Sequence, residues 1–217
     1  MSLLKAIKAQ LGLSSTPANN FTITAEADNG TLKLARGNAG ATTQDILTVD
    51  ANGVAAAVNG MHGNLFSGTV QNSTSGTSIN FTDIPSWVKR ITVILNSVST
   101  NGSALLRVQL GSGSIDSSGY VGSTTSLTSG TGSLALSNGF DIYINNATAV
   151  THGTITLNLI AGNSWICSGV LGQSNIAGTL VVGGAKTLSG TLDRIRITTM
   201  NGTDIFDSGS INILYEG

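Results

Sequence analysis

Charged and catalytic side chains are scarce in this chain. Its 217 residues include 10 Lys and Arg, 11 Asp and Glu, 2 His and 1 Cys, and aromatic residues account for 5%. Acid–base and nucleophilic catalysis draw on these few residue types. In their place stand 28 Gly and many Ser, Thr and Asn, which favour turns. The composition therefore predicts a β-rich structural or binding protein and not an enzyme.

The low charge also excludes some partners. The net charge is −1, so we expect no nucleic-acid partner, because phosphate binding requires a basic surface. No apolar run approaches the ~20 residues of a membrane helix, and the N-terminal residues lack the apolar region of a signal peptide, so we expect no membrane partner. Soluble monomers usually carry more surface charge. We therefore expect a surface partly covered by other subunits in an obligate oligomer.

The residues that most often bind metals or act as nucleophiles occur in unfavourable contexts. Cys167 follows Trp165 and Ile166, which predicts a buried thiol rather than a reactive one. His62 and His152 lack the spacing of a metal-ligand pair, so we predict no metal, cofactor or catalytic site within one chain. An ion held by histidines on an oligomer axis remains an alternative.

Residues 1–19 are predicted to form an anchor helix and a linker. Leu4, Ile7 and Leu11 recur at helical spacing within residues 2–13, which predicts a short helix. A helix of this length is marginal by itself, so it requires a partner. We expect Leu3 and these three residues to attach the protein to a larger particle.

Residues 20–60 are predicted to form a thin β-rich stalk. Phe21 and Ile23 alternate with threonines, and Asp28-Asn29-Gly30 is a strong hairpin signal. A further strand is predicted over 45–49. The segment has too few large apolar side chains to close a core alone, so we expect it to intertwine with copies of itself.

The remainder of the chain is predicted to be a β domain. Residues 61–76 look like a linker or a first peripheral strand, and residues 77–217 contain short apolar stretches between turns. This spacing predicts an antiparallel β-sandwich or jelly roll. The clearest predicted strands are 78–81, 90–98, 105–110, 134–136, 140–144, 154–160, 165–171, 192–199 and 211–215.

Four side chains of this domain are candidates for glycan contact. In the last strands, Arg194 and Arg196 alternate with buried isoleucines, so they would face outward. They could pair with Asp193, Asp204 or Asp207, as arginines often do, or grip an anionic saccharide. Trp87 and Tyr120 could stack on sugar rings or pack in the core.

Several strings in residues 77–217 resemble the C-terminal module of tailed-bacteriophage fibre proteins. The most specific is 192–212 (LDRIRITTMNGTDIFDSGSIN), and another is 81–93 (FTDIPSWVKRITV). Shorter ones are 97–102 (SVSTNG), 108–111 (VQLG) and 118–120 (SGY). Residues 30–53 look like a phage appendage shaft, with less specificity.

The resemblance implies a β-sandwich that assembles as a homotrimer on a virion, with its N-terminal part attached to capsid or to tail and baseplate proteins. It implies no catalytic residues. The short predicted stalk favours a head fibre or capsid decoration over a long tail fibre, with a possible role in host attachment. The alternative is a tail-fibre receptor-binding protein that recognises host cell-surface polysaccharide. A depolymerase is disfavoured because the chain lacks a context for paired catalytic carboxylates.

Overall fold

The chain is all-β. A computed structural model describes residues 7–11, 21–26, 31–38, 41–49, 55–57, 65–127, 132–144 and 146–217. These residues contain strands and no helix, and the strands pair in antiparallel fashion. The chain divides into two compact units, Met1–His62 and Gly63–Gly217. The predicted all-β class with antiparallel sheets is confirmed.

The described part of the first unit is one sheet in which each strand pairs with the next. Its strands are β1 (Ile7–Leu11), β2 (Phe21–Glu26), β3 (Thr31–Asn38), β4 (Ala41–Val49) and β5 (Ala55–Ala57). The predicted hairpin pairing is confirmed, since Glu26 lies opposite Thr31. The turn residues 28–30 lie outside the described residues.

The helix predicted for residues 2–13 is wrong over Ile7–Leu11, which form β1. Residues 2–6 and 12–13 lie outside the described residues. The segment pairs with β2, from Ile7 opposite Ala25 to Leu11 opposite Phe21. A short apolar pattern can fit both the helical and the strand period. In this segment Ile7, Ala9 and Leu11 alternate with polar residues, as in a strand. Pairing with β2 supplies backbone partners, and so the extended form prevails over a marginal helix.

The second unit contains two sheets. Its strands are β6 (Phe66–Ser67), β7 (Gln71–Asn72), β8 (Ser78–Phe81), β9 (Arg90–Thr100), β10 (Leu106–Ser112), β11 (Ser114–Ile115), β12 (Tyr120–Ser126), β13 (Ser133–Ala135), β14 (Phe140–Ile142), β15 (Thr151–Ala161), β16 (Ser164–Gln173), β17 (Gly178–Thr187), β18 (Arg194–Thr199) and β19 (Phe206–Glu216). The smaller sheet has the order β11-β10-β18-β8, with β14 also paired to β10. The larger has the order β13-β12-β17-β16-β15-β9-β19-β6, with β7 also paired to β19.

One hydrophobic cluster contains buried residues from both of these sheets. Strand β9 contributes alternating residues, of which Ile91 and Val93 are fully buried. Strand β18 contributes Ile195 and Ile197 from the smaller sheet, also fully buried. This alternation matches the predicted inward direction of the two isoleucines of β18. Each fully buried aliphatic side chain contributes about 1.5–3 kcal/mol relative to an exposed one.

The predicted strands of the second unit are present, but two long strands were missed. These are β12 and β17, which pair with each other from Tyr120 opposite Lys186 to Ser126 opposite Leu180. Both strands are rich in Gly, Ser and Thr, so their sequences resemble those of loops. The glycines permit close backbone approach, since a Cβ on Gly122 would lie 2.2 Å from the Gly183 carbonyl oxygen.

Residues 65–76, which were predicted as a linker or peripheral strand, contain β6 and β7. Both strands pair with β19, through Phe66 opposite Tyr215 and Gln71 opposite Ile211. Both strands belong to the second compact unit, Gly63–Gly217.

Substitution of Gly209 by Ala is expected to destabilise the protein by about 1–3 kcal/mol. Gly209 lies at an irregularity in the β9–β19 pairing with φ of 94°. A Cβ there would meet the Ser97 carbonyl oxygen at 2.3 Å. Urea denaturation measures the change. Gly172→Ala is the control, because a Cβ on Gly172 meets nothing within 4 Å; equal stability losses in the two variants would contradict the expectation.

Candidate functional site

A groove lies between the exposed edges of the two sheets of the second unit. Its volume is about 310 Å³, and we call it the edge groove. One wall comes from β6, β7 and the turn between them, and the other from β8 and the residues that follow it. The lining residues are Ser67, Gly68, Thr69, Gln71, Asn80, Phe81, Thr82, Asp83, Ile84, Ile213 and Tyr215. The groove thus combines hydroxyl, amide and carboxylate groups with an apolar floor.

An aromatic cluster adjoins the edge groove. The ring of Tyr215 stacks on Phe66 with centroids 5.8 Å apart, and Trp87 packs on both rings at 5.9 and 5.1 Å. Phe66 and Tyr215 meet because β6 pairs with β19 at these two positions. Phe66 remains 40% exposed. These contacts hold the Tyr215 ring in place on the wall of the groove.

Asp83 is held in an unusual backbone conformation at the groove. Its φ is 60°, in the left-handed region that Asp and Asn tolerate better than most residues. The Ile84 amide donates to the Asp193 carbonyl oxygen at 3.0 Å and secures the chain just after it. Asp83 Oδ2 accepts a hydrogen bond from the Thr82 hydroxyl at 2.8 Å. The other carboxylate oxygen has no protein partner among the described residues.

A second polar surface covers one face of the smaller sheet. Arg107 and Asp141 lie opposite each other on β10 and β14 and form a bidentate ion pair, with Nε–Oδ1 at 2.6 Å and Nη2–Oδ2 at 3.1 Å. Both side chains are buried. Beside them lies a cavity of about 270 Å³, lined in part by Gln109, Arg196 and Thr198.

The two predicted outward arginines have different partners. Arg194 forms a bidentate pair with Asp193, at 2.7 and 3.1 Å, which confirms the ion-pair interpretation for this residue. The hydrogen bond from Arg194 lowers the pKa of Asp193. Arg196 donates from Nε to Asn80 Oδ1 at 3.1 Å, and it has no carboxylate partner in the described part of the chain. Asn80 therefore connects Arg196 to the edge groove.

The stacking role considered for Tyr120 is wrong, because its ring is 2% exposed. The Leu110 amide donates to its hydroxyl at 2.7 Å, and the hydroxyl donates to the Asp116 carbonyl oxygen at 3.1 Å. Burial raises its pKa well above the ordinary value for tyrosine. Lys186 lies over the ring, 5.4 Å from its centroid, and pairs with Asp116 at 2.8 Å.

Trp87 is partly buried in the aromatic cluster and packs against the hydrophobic core. This is the core-packing role considered for it, and Trp87 is not among the residues that line the edge groove. Of the predicted attachment residues, Leu3 and Leu4 lie outside the described residues. Ile7 and Leu11 belong to β1.

The outward face of the larger sheet carries almost no charge. The aligned outward positions of β12, β17, β16 and β15 are occupied by small polar and apolar side chains; we call this surface the neutral face. Its members are Val121, Ser123, Thr125, Val181, Gly183, Ala185, Ile166, Ser168, Val170, Thr154, Thr156 and Asn158. Val121 is 61% exposed and Val170 is 63% exposed. Further across the sheet, the outward Arg90 and Glu216 pair with each other.

The described residues give little indication of a nucleophilic site or a metal site. Cys167 is 2% exposed, and burial raises the pKa of its thiol to about 12. A thiol of this kind is protonated and unreactive near neutral pH.

No group of three or more His, Cys, Asp or Glu is clustered for a metal ion within the described ranges. Nor do these ranges contain a helix with the length and apolarity of a membrane span.

No protein-family model and no curated protein matches the chain.

Several groups at these sites were not selected as site residues from the sequence. Arg107 and Asp141 are 34 residues apart, and only the pairing of β10 with β14 reveals their contact. Gln71 and Tyr215 come together through the pairing of β7 and β6 with β19. Asp83 looked like an ordinary turn residue, and its position before Ile84-Pro85 was the one signal available.

Substitution of Asp141 by Asn is expected to destabilise the protein by about 3–5 kcal/mol, because the Arg107 guanidinium would remain buried without its counter-charge. Chemical denaturation measures the loss. The control is Arg90→Gln at the exposed pair with Glu216, where about 1 kcal/mol or less is expected. Similar losses at the two sites would contradict the role given to burial.

The buried Cys167 thiol is expected to make the protein less stable at alkaline pH. An unfolded thiol ionises near pH 8.5, whereas the folded thiol has a pKa of about 12. The unfolded state therefore loses its proton first, and the free energy of unfolding decreases as pH rises from about 9 towards 12, by about 2 kcal/mol at pH ~10. Urea denaturation at pH ~8 and ~10 should show a steeper decrease in wild type than in Cys167→Ala. Identical pH slopes would contradict the assignment.

Proposed function

We propose that this chain is a structural protein of a bacteriophage particle in which three copies form a fibre or spike. In this proposal residues 63–217 form a β-sandwich of jelly-roll type. The N-terminal unit contributes to a stalk that attaches to the particle. Capsid, tail or baseplate proteins are the proposed partners. The protein would perform no chemical step and would act through multivalent contact, since several weak contacts on one particle give high avidity.

The neutral face is the observation that carries the proposal. Its four adjacent strands, β12, β17, β16 and β15, each about seven residues long, would cover on the order of 450 Å² at ~4.8 Å between strands and ~3.3 Å per residue. The adjoining strands β9 and β19, where Arg90 and Glu216 pair with each other, would extend this to about 650 Å². A standard interface buries roughly 800 Å² per partner. The exposed apolar side chains Val121, Ile166 and Val170 lie together on this uncharged surface, and adjacent exposed apolar residues are typical of interaction sites. The face lacks unpaired charges, so a second copy could cover it without desolvating one.

The N-terminal sheet supports the same proposal. Among its described side chains, Ala35 is the buried hydrophobic residue, at 3% exposure, while Phe21 and Leu32 are 37% and 46% exposed. A small sheet gains its stability by covering an apolar face. Self-association of three such sheets would supply that cover, as the intertwined stalk requires.

The outward polar surface of the smaller sheet favours a second candidate, a tail-fibre receptor-binding protein that recognises host polysaccharide. Arg196 lacks a carboxylate partner there and faces a cavity of about 270 Å³, which suits an acidic sugar. Cross-linking of residues in β1 on intact phage particles would separate the two candidates. Products with capsid protein favour a head fibre or decoration, and products with portal, adaptor or baseplate protein favour a tail fibre.

The full chain is expected to have a mass in solution of about 66 kDa, three times its 22.0 kDa. Light scattering coupled to size-exclusion chromatography measures this mass. Val170→Lys should shift the protein towards 22.0 kDa, because a lysine on the neutral face would be buried without a partner.

Ser189→Lys is the matched control, since Ser189 is exposed in a turn outside the neutral face. It should keep the wild-type mass. A wild-type mass of 22.0 kDa would overturn the trimer. A trimeric Val170→Lys variant would exclude the neutral face as the interface.

A further inference from the structure

We propose that the edge groove binds a neutral saccharide unit. This inference rests on the proposed attachment function of the particle protein, and it assigns the binding role to a surface other than the one that carries Arg196. The groove lies at the sheet edges, whereas the neutral face lies on the outward side of the larger sheet. Binding in the groove and self-association through the neutral face therefore use different residues.

The groove presents hydrogen-bonding groups that have no protein partner. Among the described residues, the Gln71 amide, the Thr69 hydroxyl and the Tyr215 hydroxyl make no hydrogen bond within the chain. Gln71 can donate and accept, and both hydroxyls can do the same. A sugar hydroxyl also donates and accepts, so a ring carrying several of them can satisfy these groups together. A hydrocarbon ligand would leave them unpaired, at a cost for each group.

The apolar floor provides the second half of saccharide recognition. Phe81, Ile84 and Ile213 line the groove and belong to the hydrophobic cluster, with exposures of 6%, 5% and 2%. The Tyr215 ring stands beside them, supported by Phe66 and Trp87. Small-ligand sites combine such apolar surface with a few placed polar groups. Because these three side chains are nearly buried, the partly exposed Tyr215 ring is the group that can contact the C–H face of a sugar, while the sugar hydroxyls match the polar walls.

Charge in the groove selects the neutral class of sugar. Asp83 carries the one carboxylate among the lining residues, and no Lys, Arg or His lines the groove. The Arg194 guanidinium, which interacts electrostatically with Asp83, is already paired with Asp193. A carboxylate accepts hydrogen bonds from sugar hydroxyls and repels the carboxylate of an acidic sugar. The volume of about 310 Å³ lies at the lower end of the ~300–1,000 Å³ range of ligand sites. The groove therefore suits a short stretch of a neutral glycan.

The backbone at Asp83 indicates that this carboxylate is held in position. A φ of 60° is a sparsely populated conformation for a residue other than glycine, and such residues are enriched at binding sites. The Thr82 hydroxyl donates to one carboxylate oxygen, which leaves the other for a ligand. Asn tolerates the same backbone region, so Asp83→Asn removes the charge without adding backbone strain.

The experiment uses the full chain with glucose, galactose, mannose and N-acetylglucosamine as neutral probes, and with glucuronate as the acidic probe. Saturation-transfer NMR detects binding, and backbone-amide shift changes locate it. At least one neutral sugar should bind with shift changes at Gln71, Asn80 and Tyr215, and glucuronate should bind more weakly. Tyr215→Phe should weaken binding about fivefold or more through one lost hydrogen bond. Asp83→Asn should weaken it by a similar factor, because a neutral amide oxygen is a weaker acceptor than a carboxylate.

Asp207→Asn is the matched control, because Asp207 is exposed, bonds Ser99 and lies outside the groove. It should bind the probe as wild type does. Absence of binding by every neutral sugar, shift changes that map elsewhere, or unchanged affinity in both groove variants would overturn the inference. The mass of the same samples separates the two proposals. A trimer without sugar binding contradicts only the groove, and a sugar-binding monomer contradicts only the fibre.

Discussion

The hydrophobic cluster shared by the two C-terminal sheets is the constraint on which the rest of this unit depends. Phe140 and Phe206, with aliphatic residues of β9, β10 and β18, are removed from water. In a chain with so few aromatic and charged residues, this burial is the largest favourable term available. It brings the smaller sheet against the larger one. The edges of the two sheets then lie close enough for the strands β6–β7 and β8 to form the walls of one groove.

The same core explains why the polar residues of the second unit are so unevenly placed. Where a charge is covered, as at Arg107 and Asp141, it has a bidentate partner, because an unpaired buried charge is costly. Where side chains are open to water, as on the neutral face, they are mostly uncharged. Surface that is both exposed and uncharged is unusual for a soluble monomer. That contrast underlies the proposal that copies of the chain cover the neutral face.

The two proposed roles use separate parts of one framework. Self-association would cover the flat outward face of β12, β17, β16 and β15, while ligand binding would occupy the edge where Asp83 and Tyr215 meet. Separation of this kind allows several grooves on one particle to act together, so that weak individual binding still holds the particle at a surface. The groove requires few residues of its own, because most of its lining already belongs to the core or to the edge of the core.

Local pattern determined the strands whose apolar residues alternate strongly, such as β9 and β18, and the hairpin of β2 and β3. It also determined that Cys167 would be buried, because its neighbours are apolar. It did not determine β1, since Ile7 and Leu11 satisfy both helical and extended spacing, nor β12 and β17, whose glycines resemble loops. Tyr120 could not be placed by pattern, because its burial depends on the distant Leu110 and Lys186. The edge groove was decided by tertiary structure alone. Gln71, Asp83 and Tyr215 meet through the pairing of β7 and β6 with β19 and through the core between the sheets. No local signal encodes contacts between residues so far apart along the chain.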